Sequence, residues 1–420
     1  MLAAPVGSWA NTYVQSVRWG PGSVARSLSD VLASVVRPGE QAKALILTGR
    51  SLQTKTDVIK RIEAVLVPSN AHAGTFAGID QHASVESIDK AREELRRTGA
   101  NVLLAVGGGS PIDAAKAIAF WDYERTHGEL NSGGGGSTTD ADRADPRLFL
   151  PIVAVPTTLS LAETTQNAGF TRDGKKVGVS HPALVPRVIL YDAELTLPTP
   201  SRLWLSSGIR SLDHAIESLY RPDPSPALRN QWLGAVRDLF HFLPLSHAKP
   251  DDLAIRQRLQ LACYTSLSPE ARRGALGLSH SLGHALGATY GIPHGITSCL
   301  TLAPAVRLTA RLSDTPPEQI EALSDALDYI PAPYNPHPAP LGVPVGGQST
   351  LSDAEKRERG TRVGDAVQRL VDELGLKTSL GEYKVPSGNL PNIAEHAAGK
   401  DGSDSEKGKG VLELLKSIEN

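Results

Sequence analysis

Asn101-Val102-Leu103-Leu104-Ala105-Val106 runs directly into Gly107-Gly108-Gly109-Ser110 and then into Pro111-Ile112-Asp113-Ala114-Ala115-Lys116. The apolar run predicts a strand buried on both faces, and the residues after it predict a helix starting near Ser110. Glycines at such a turn let backbone N–H groups approach a phosphate, and the helix directs its positive end at the same point. Asp113 in the first turn suits that end electrostatically, and Lys116 follows three residues on, on a neighbouring face. The spacing is not GxGxxG, and a lone glycine triplet also describes a plain tight strand-to-helix turn.

Outward from this stretch the same alternation repeats. Ala44 to Thr48 reads as a buried strand closed by Gly49, followed by a helical pattern from Thr56 to Val65 and a β-rich segment around Phe76 to Ile79. Val85 to Arg97 is charged and periodic, a surface helix, and Leu148 to Val155 and Arg187 to Tyr191 are further strands. Strands separated by helices predict a parallel, doubly wound α/β sheet. After Pro198 the character changes, and from Trp204 to about Leu312 the chain is amphipathic helix. These readings place an α/β dinucleotide-binding domain at 1–200 and a helical catalytic domain at 201–420. Asn131 to Arg147 and Pro331 to Gly347 read as Gly- and Pro-rich insertions, and no internal repeat is visible.

A chain of 420 residues is too long for one compact domain of about 100–200 residues. Its 43 Lys+Arg balance 45 Asp+Glu to a net charge of -2, which argues against nucleic acid or a membrane surface as the main partner. Cys263 and Cys299 are the two cysteines. They cannot build a disulfide framework and lie in no CxxC pair, so a reducing compartment is expected. No apolar run has the length of a membrane span, and the N-terminal residues carry no secretory signature. A soluble cytoplasmic protein with a small-molecule substrate is the expectation.

Two further groups carry chemistry. Pro156-Thr157-Thr158 places hydroxyls at the carboxyl end of a predicted parallel strand, where open sheets bind ligands, although the same triplet could cap a helix. His280 and His284 are four apart, His294 follows in the turn Gly291-Ile292-Pro293-His294-Gly295, and His214 lies in an earlier helical stretch with Glu217. Imidazoles gathered this way suit a divalent metal or proton transfer.

Taken in order, these motifs resemble the iron-containing alcohol dehydrogenase family. The resemblance runs from Gly107–Lys116 through Val155-Pro156-Thr157-Thr158, Asp192-Ala193-Glu194-Leu195-Thr196 and His214-Ala215-Ile216-Glu217 to His280-Ser281-Leu282-Gly283-His284 and Pro293-His294-Gly295. It implies a dehydroquinate-synthase-like architecture, with a nucleotide-binding α/β domain, an all-α C-terminal domain and the active site in the cleft between them. Within the family the chain is similar to the maleylacetate reductase branch, through Leu159-Ser160-Leu161-Ala162-Glu163, Gly174-Lys175-Lys176 and Leu278 to Pro293. That branch reduces a carbon–carbon double bond conjugated to a ketone with NADH or NADPH and without a metal.

Two departures shape the expectation. Metal-dependent members place an aspartate four residues before the helix histidine, and here that residue is Arg210. A guanidinium repels a divalent ion and cannot ligate it, whereas it suits a substrate carboxylate. Asp213, next to His214, is expected to point elsewhere. The reading is therefore metal-free; an ion, if held, would rest on His214, His280 and His294. The second departure is Leu161-Ala162, where the reductases carry small Gly and Ser, close to the expected pyrophosphate.

The resemblance then implies an NAD(P)H-dependent reductase acting on an electron-poor enone or carbonyl. His284 or His280 supplies the proton, Arg210 and His294 orient the substrate, and His214 belongs to the same catalytic face. The cofactor is expected on Gly108, Gly109, Ser110, Asp113, Thr157, Thr158 and Lys176. Gly49 and Arg50 replace the acid that would reject a 2′-phosphate, which favours NADPH. A homodimer is expected. The rival readings are a metal-dependent alcohol dehydrogenase and a cofactor-independent lyase, isomerase or cyclase on the same scaffold.

Overall fold

The structure, a computed structural model, describes residues 14–81, 83–128, 130, 145–172, 175–222, 224–268, 274–336, 351–399 and 402–420. Its N-terminal half holds β1 (Ser16–Trp19), α1 (Ser23–Val35), β2 (Ala44–Leu47), α2 (Arg50–Lys55), α3 (Val58–Leu66), β3 (His72–Phe76) and α4 (Val85–Thr98). Next come β4 (Val102–Gly107), α5 (Gly109–His127), β5 (Ile152–Pro156), β6 (Asn167–Arg172), β7 (Lys175–Ser180) and β8 (Val188–Tyr191). Six strands form one sheet in the order β1-β8-β5-β4-β2-β3, and every pairing in it is parallel. The strand order reverses between β2 and β4, and ligands of open sheets bind outside the carboxyl ends at such a point, here at the end of β4. The register there aligns Gly107 with Pro156, which sets the Gly107–Ser110 turn beside Thr157 and Thr158.

The central strands are apolar throughout because helices cover both faces. Alternation along each strand splits them between two cores. Leu45, Leu47, Leu103, Ala105, Ile152 and Ala154 pack on the α4 and α5 side. Ile46, Leu104, Val106, Val153, Val155 and Leu190 pack on the α1 and α3 side.

The remainder of the chain is helical: α6 (Ser201–Ser218), α7 (Pro226–Ala248), α8 (Leu253–Ser266), α9 (Leu278–Tyr290), α10 (His294–Arg311), α11 (Pro317–Tyr329), α12 (Asp353–Glu373), α13 (Leu390–Ala398) and α14 (Glu406–Ser417). Helix α6 is buried from Trp204 to Ser218. A helix covered on all sides sits at the centre of its layer, yet this one carries Arg210, Asp213, His214 and Glu217.

The differences from the sequence reading have physical causes. The strand expected at Phe76 to Ile79 is His72–Phe76 instead. As the outer strand it is only half-buried, so its apolar signal is weak, while Ile79 is buried in the following loop with its N–H on the Thr48 carbonyl. The strand expected from Leu148 begins at Ile152, after a turn at Pro146–Leu148 and the donor-less Pro151. Edge strand β1, with the sequence SVRW, and the antiparallel pair β6–β7 had no apolar run to announce them. Most of the two expected insertions, residues 131–144 and 337–347, and Gly174 lie outside the described residues.

Candidate active site

Helix α5 starts at Gly109 after Gly108, which offers no side chain to cap it. Gly107 has φ +137°, a conformation that disfavours any Cβ. A Cβ on Gly108 would press on Thr158 Cγ2 at 3.3 Å, and one on Gly109 would meet Ala162 and Ser160. The turn is thus held between the helix end and the loop 157–162. Ser110 is half-buried here, and Thr157 is buried with its N–H on the Gly107 carbonyl at 2.9 Å. Gly49 precedes α2, and Arg50 is exposed at its first position. Lys176 lies in β7, and its side chain is outside the described residues.

The loop is pinned from both sides. Lys116 on α5 is fully buried and donates from Nζ to the carbonyls of Ala162 (2.5 Å) and Asn167 (2.8 Å) and to Thr165 Oγ1 (3.0 Å). Asp113 stands 3.6 Å from the same ammonium. Burial lowers the Lys116 pKa against the pull of Asp113 and Glu163. Glu163 is buried too. It accepts from the Tyr191 hydroxyl at 2.9 Å, and its burial pushes the carboxyl up to about 7. On the other side, Leu159 donates its N–H to Ser207 Oγ (3.0 Å) and accepts from Ser211 Oγ (2.5 Å), both on α6. Leu161 takes φ +65° and is buried in the helical core, so it anchors the loop there.

The charged group begins on α6 at Arg210, next to Ser211. Arg210 Nη1 donates to Ser298 Oγ at 3.2 Å and lies 3.5 Å from Asp213 Oδ2. Asp213 Oδ2 also accepts from Ser279 Oγ (2.9 Å) and Ser298 Oγ (2.5 Å), while its Oδ1 is 3.2 Å from His280 Nδ1. The expectation that Asp213 points elsewhere is therefore corrected. Residues 210, 213, 214 and 217 form an i, i+3, i+4, i+7 stripe, so Asp213 shares a face with Arg210. Glu217 Oε2 accepts from His280 Nδ1 at 2.6 Å and from the His280 N–H at 3.2 Å, and Oε1 accepts from the Ser279 N–H at 2.7 Å. It thereby caps α9 from another helix. Gly277 lets it do so, because a Cβ there would stand 2.7 Å from Oε1.

The four charges balance one another. Burial and the Arg210 guanidinium pull the His280 imidazole down, but Asp213 and Glu217 outweigh them and hold it above its ordinary value. Burial raises Asp213, yet His280, Arg210 and Ser298 bring it below the usual carboxylate range. Burial, then the neighbouring Asp213, lifts Glu217 above that range.

The histidines divide into two contacts. His214 packs on His280 with ring centres 4.8 Å apart, and both are buried. His284, one turn further along α9 and exposed, faces His294 at 6.4 Å, at the start of α10. His280 and His284 thus meet different partners although they are four residues apart.

Among the described residues, the group with metal-ligand spacing is Asp213, Glu217 and His280, with candidate atoms within 4.8 Å, and not His214, His280 and His294. Ligand atoms about 2.1 Å from an ion at tetrahedral angles stand roughly 3.4 Å apart. The 2.6 Å contact between His280 Nδ1 and Glu217 Oε2 is a hydrogen bond too short for that, and Arg210 Nη1 stands 3.5 Å from Asp213 Oδ2. At these distances the contacting atoms of His280 and Glu217 stand too close to share one tetrahedral ion, and no chemistry is derived through one.

The family model described as iron-containing alcohol dehydrogenase matches residues 16–193, and that of the Fe-containing alcohol dehydrogenase family, C-terminal, matches 204–416. A maleylacetate reductase of Sphingobium indicum is 30% identical over 311 residues, 74% of this chain and 77% of that protein. A dehydrogenase of Gibberella moniliformis, FUM7, is 28% identical over 77% of this chain and 78% of its own. In fold, the chain is similar to the crystal structure of a 1,3-propanediol oxidoreductase (TM-score 0.76, 21% identity, 99% of this chain and 100% of that one). It is also similar to that of maleylacetate reductase from Agrobacterium tumefaciens (TM-score 0.72, 23% identity, 99% of each).

Proposed function

The chain belongs to the iron-containing alcohol dehydrogenase family, and we propose that within it the protein is a metal-independent, NAD(P)H-dependent reductase of the maleylacetate-reductase type. The observation that carries this reading is Arg210, a buried cation ion-paired to Asp213 among the histidines of the site. Its charge, with that of His280, balances the two carboxylates, and a further divalent ion would leave the group with excess positive charge. Relatives that are dehydrogenases and reductases make the chain an oxidoreductase and give no support to a lyase, isomerase or cyclase.

The pyrophosphate would lie on the uncapped start of α5 at Gly108, Gly109 and Ser110, beside Thr158, with Asp113 and Lys116 holding the turn from behind. Arg50, exposed at the start of α2, is available to a ribose 2′-phosphate. When bound, the reduced nicotinamide supplies a hydride to an electron-poor carbon of an enone or carbonyl. His284, exposed beside His294, gives the proton, and His280 is held by Glu217 one turn away. Arg210 and His294 orient an acidic substrate. The helical catalytic unit is taken to begin near residue 201, and the working form is a homodimer.

Fluorescence titration of the purified protein with NADPH and NADH, with iron and zinc measured on the same sample, tests the reading. NADPH should bind at least as tightly as NADH, and metal should be well below one equivalent per chain. One tightly held divalent ion that restores activity after chelation would overturn metal independence. Absence of binding by either nucleotide would overturn the redox reading.

A further inference from the structure

Far from this cleft, a cavity of about 450 Å³ opens between α10 and α12. Arg307, Arg362 and Arg369 line it with Tyr334, and the carboxylate among its lining residues is Asp365. Arg307 lies thirteen residues after His294 on the same helix, roughly 20 Å along its axis. The site is separate from the one already described.

The helices come close because Gly364 has no side chain. A Cβ there would stand 2.6 Å from Arg307 Cγ and 2.8 Å from the Ala303 carbonyl. Arg362 and Arg369 are seven apart and share one face of α12. Neutral oxygens fix both guanidiniums. Arg362 Nη2 donates to Asn335 Oδ1 at 3.2 Å, and Asn335 is buried and itself anchored to the Leu327 carbonyl at 2.8 Å. Arg369 donates to the carbonyl of Tyr334, whose hydroxyl draws off the nearby Glu373 at 2.5 Å.

Arg307 is loosely paired, with Asp365 at 3.4 Å. Among the described residues neither Arg362 nor Arg369 has a carboxylate in ion-pair range. Residues 337–350, which follow the turn bearing Tyr334 and Asn335, contain no Asp or Glu. The cavity therefore holds three guanidiniums against one carboxylate, and two of them are oriented before any ligand arrives. Guanidinium forks match a tetrahedral oxyanion, and preorganisation cuts the cost of ordering them.

We propose that Arg307, Arg362 and Arg369 form an anion-binding site for a phosphate group, free or on a small ester. Thermal-shift and calorimetric titrations of the full chain with inorganic phosphate and with glycerol 3-phosphate, at ionic strength matched with chloride, test it. The wild type should show saturable binding, and R362Q/R369Q should bind about tenfold more weakly or worse. Because that variant also removes the contacts to Asn335 and Tyr334, D365N is the companion; removing the one competing carboxylate should tighten binding several-fold. Tighter binding of the ester identifies the ligand as an ester, and equal binding identifies free phosphate. Binding that is the same in wild type and R362Q/R369Q would put the anion elsewhere, for instance on the Gly107–Ser110 turn. That result, no saturable response in the wild type, or no gain in D365N overturns the proposal.

Discussion

The two faces of the cleft are built from different materials. At the carboxyl end of the sheet the Gly107–Ser110 turn offers backbone groups without side chains on its glycines, and a single buried ammonium, Lys116, holds the neighbouring loop by two carbonyls and one hydroxyl. On the helical side, charged side chains from α6 and α9, bridged by serines of α9 and α10, hold one another. A backbone cradle tolerates change in its surroundings so long as its glycines remain. A buried charge network does not, because removing one member leaves another desolvated and unpaired. The contrast implies that cofactor affinity and the chemical step should be separable by mutation, and that the helical side is the fragile one.

The largest expected effect tests that separation. His284→Ala should lower kcat by about 10²–10⁴-fold while the dissociation constant for NADPH stays near that of the wild type. Steady-state kinetics and nucleotide titration on one preparation check it, and a parallel loss of nucleotide affinity would break the division. Next, Glu217→Ala removes both the α9 cap and the partner of His280. Equilibrium urea unfolding should show a loss of about 3–5 kcal/mol; a loss near that of an ordinary surface change would mean that the network is loose.

Glu163 sharpens the comparison from the sheet side, where it is buried. Its folded value of about 7 lies above the ordinary 4.5. Between these two values the folded protein keeps a proton that the unfolded chain has released, so stability falls as pH rises through that window, by roughly 3 kcal/mol. Glu163→Gln, which resembles the protonated form, should flatten this slope when unfolding is compared at about pH 5 and pH 7.5. An unchanged slope would show that Glu163 does not carry it.

The smallest effect weighs strain against burial at Leu161. Its left-handed backbone costs about 1–2 kcal/mol that glycine would relieve. Losing a buried leucine costs about 3–5 kcal/mol, and glycine adds about 0.5–1 kcal/mol of backbone entropy. Leu161→Gly should therefore destabilise by a net of about 3 kcal/mol, and a gain in melting temperature would show that the loop is held by Lys116 and α6 alone.

The strands β2, β4, β5 and β8 and the turn after β4 were legible because their signal is local: short apolar runs closed by glycine, threonine or aspartate. The edge strands β1 and β3 were hidden, since half-buried strands need few apolar residues. At the site, Arg210 drew notice through its place before His214, while Asp213 was misjudged. The signal that could have corrected it was present: four ionisable residues at 210, 213, 214 and 217 form one stripe on an otherwise apolar helix, which helical geometry alone brings together. Glu217 stood in view beside His214 but without a task.

Chain order and residue type thus determined the parallel sheet, the helical half and the turn suited to a phosphate, because each depends on neighbours within one or two turns of the same segment. Tertiary structure alone decided that Glu217 caps α9 across 62 residues of chain, that Asp213 neutralises Arg210 rather than facing away, and that His280 and His284 part to different partners. Those pairings were set by where packed helices bring desolvated charges, which must find opposite charges or hydrogen bonds wherever the fold leaves them.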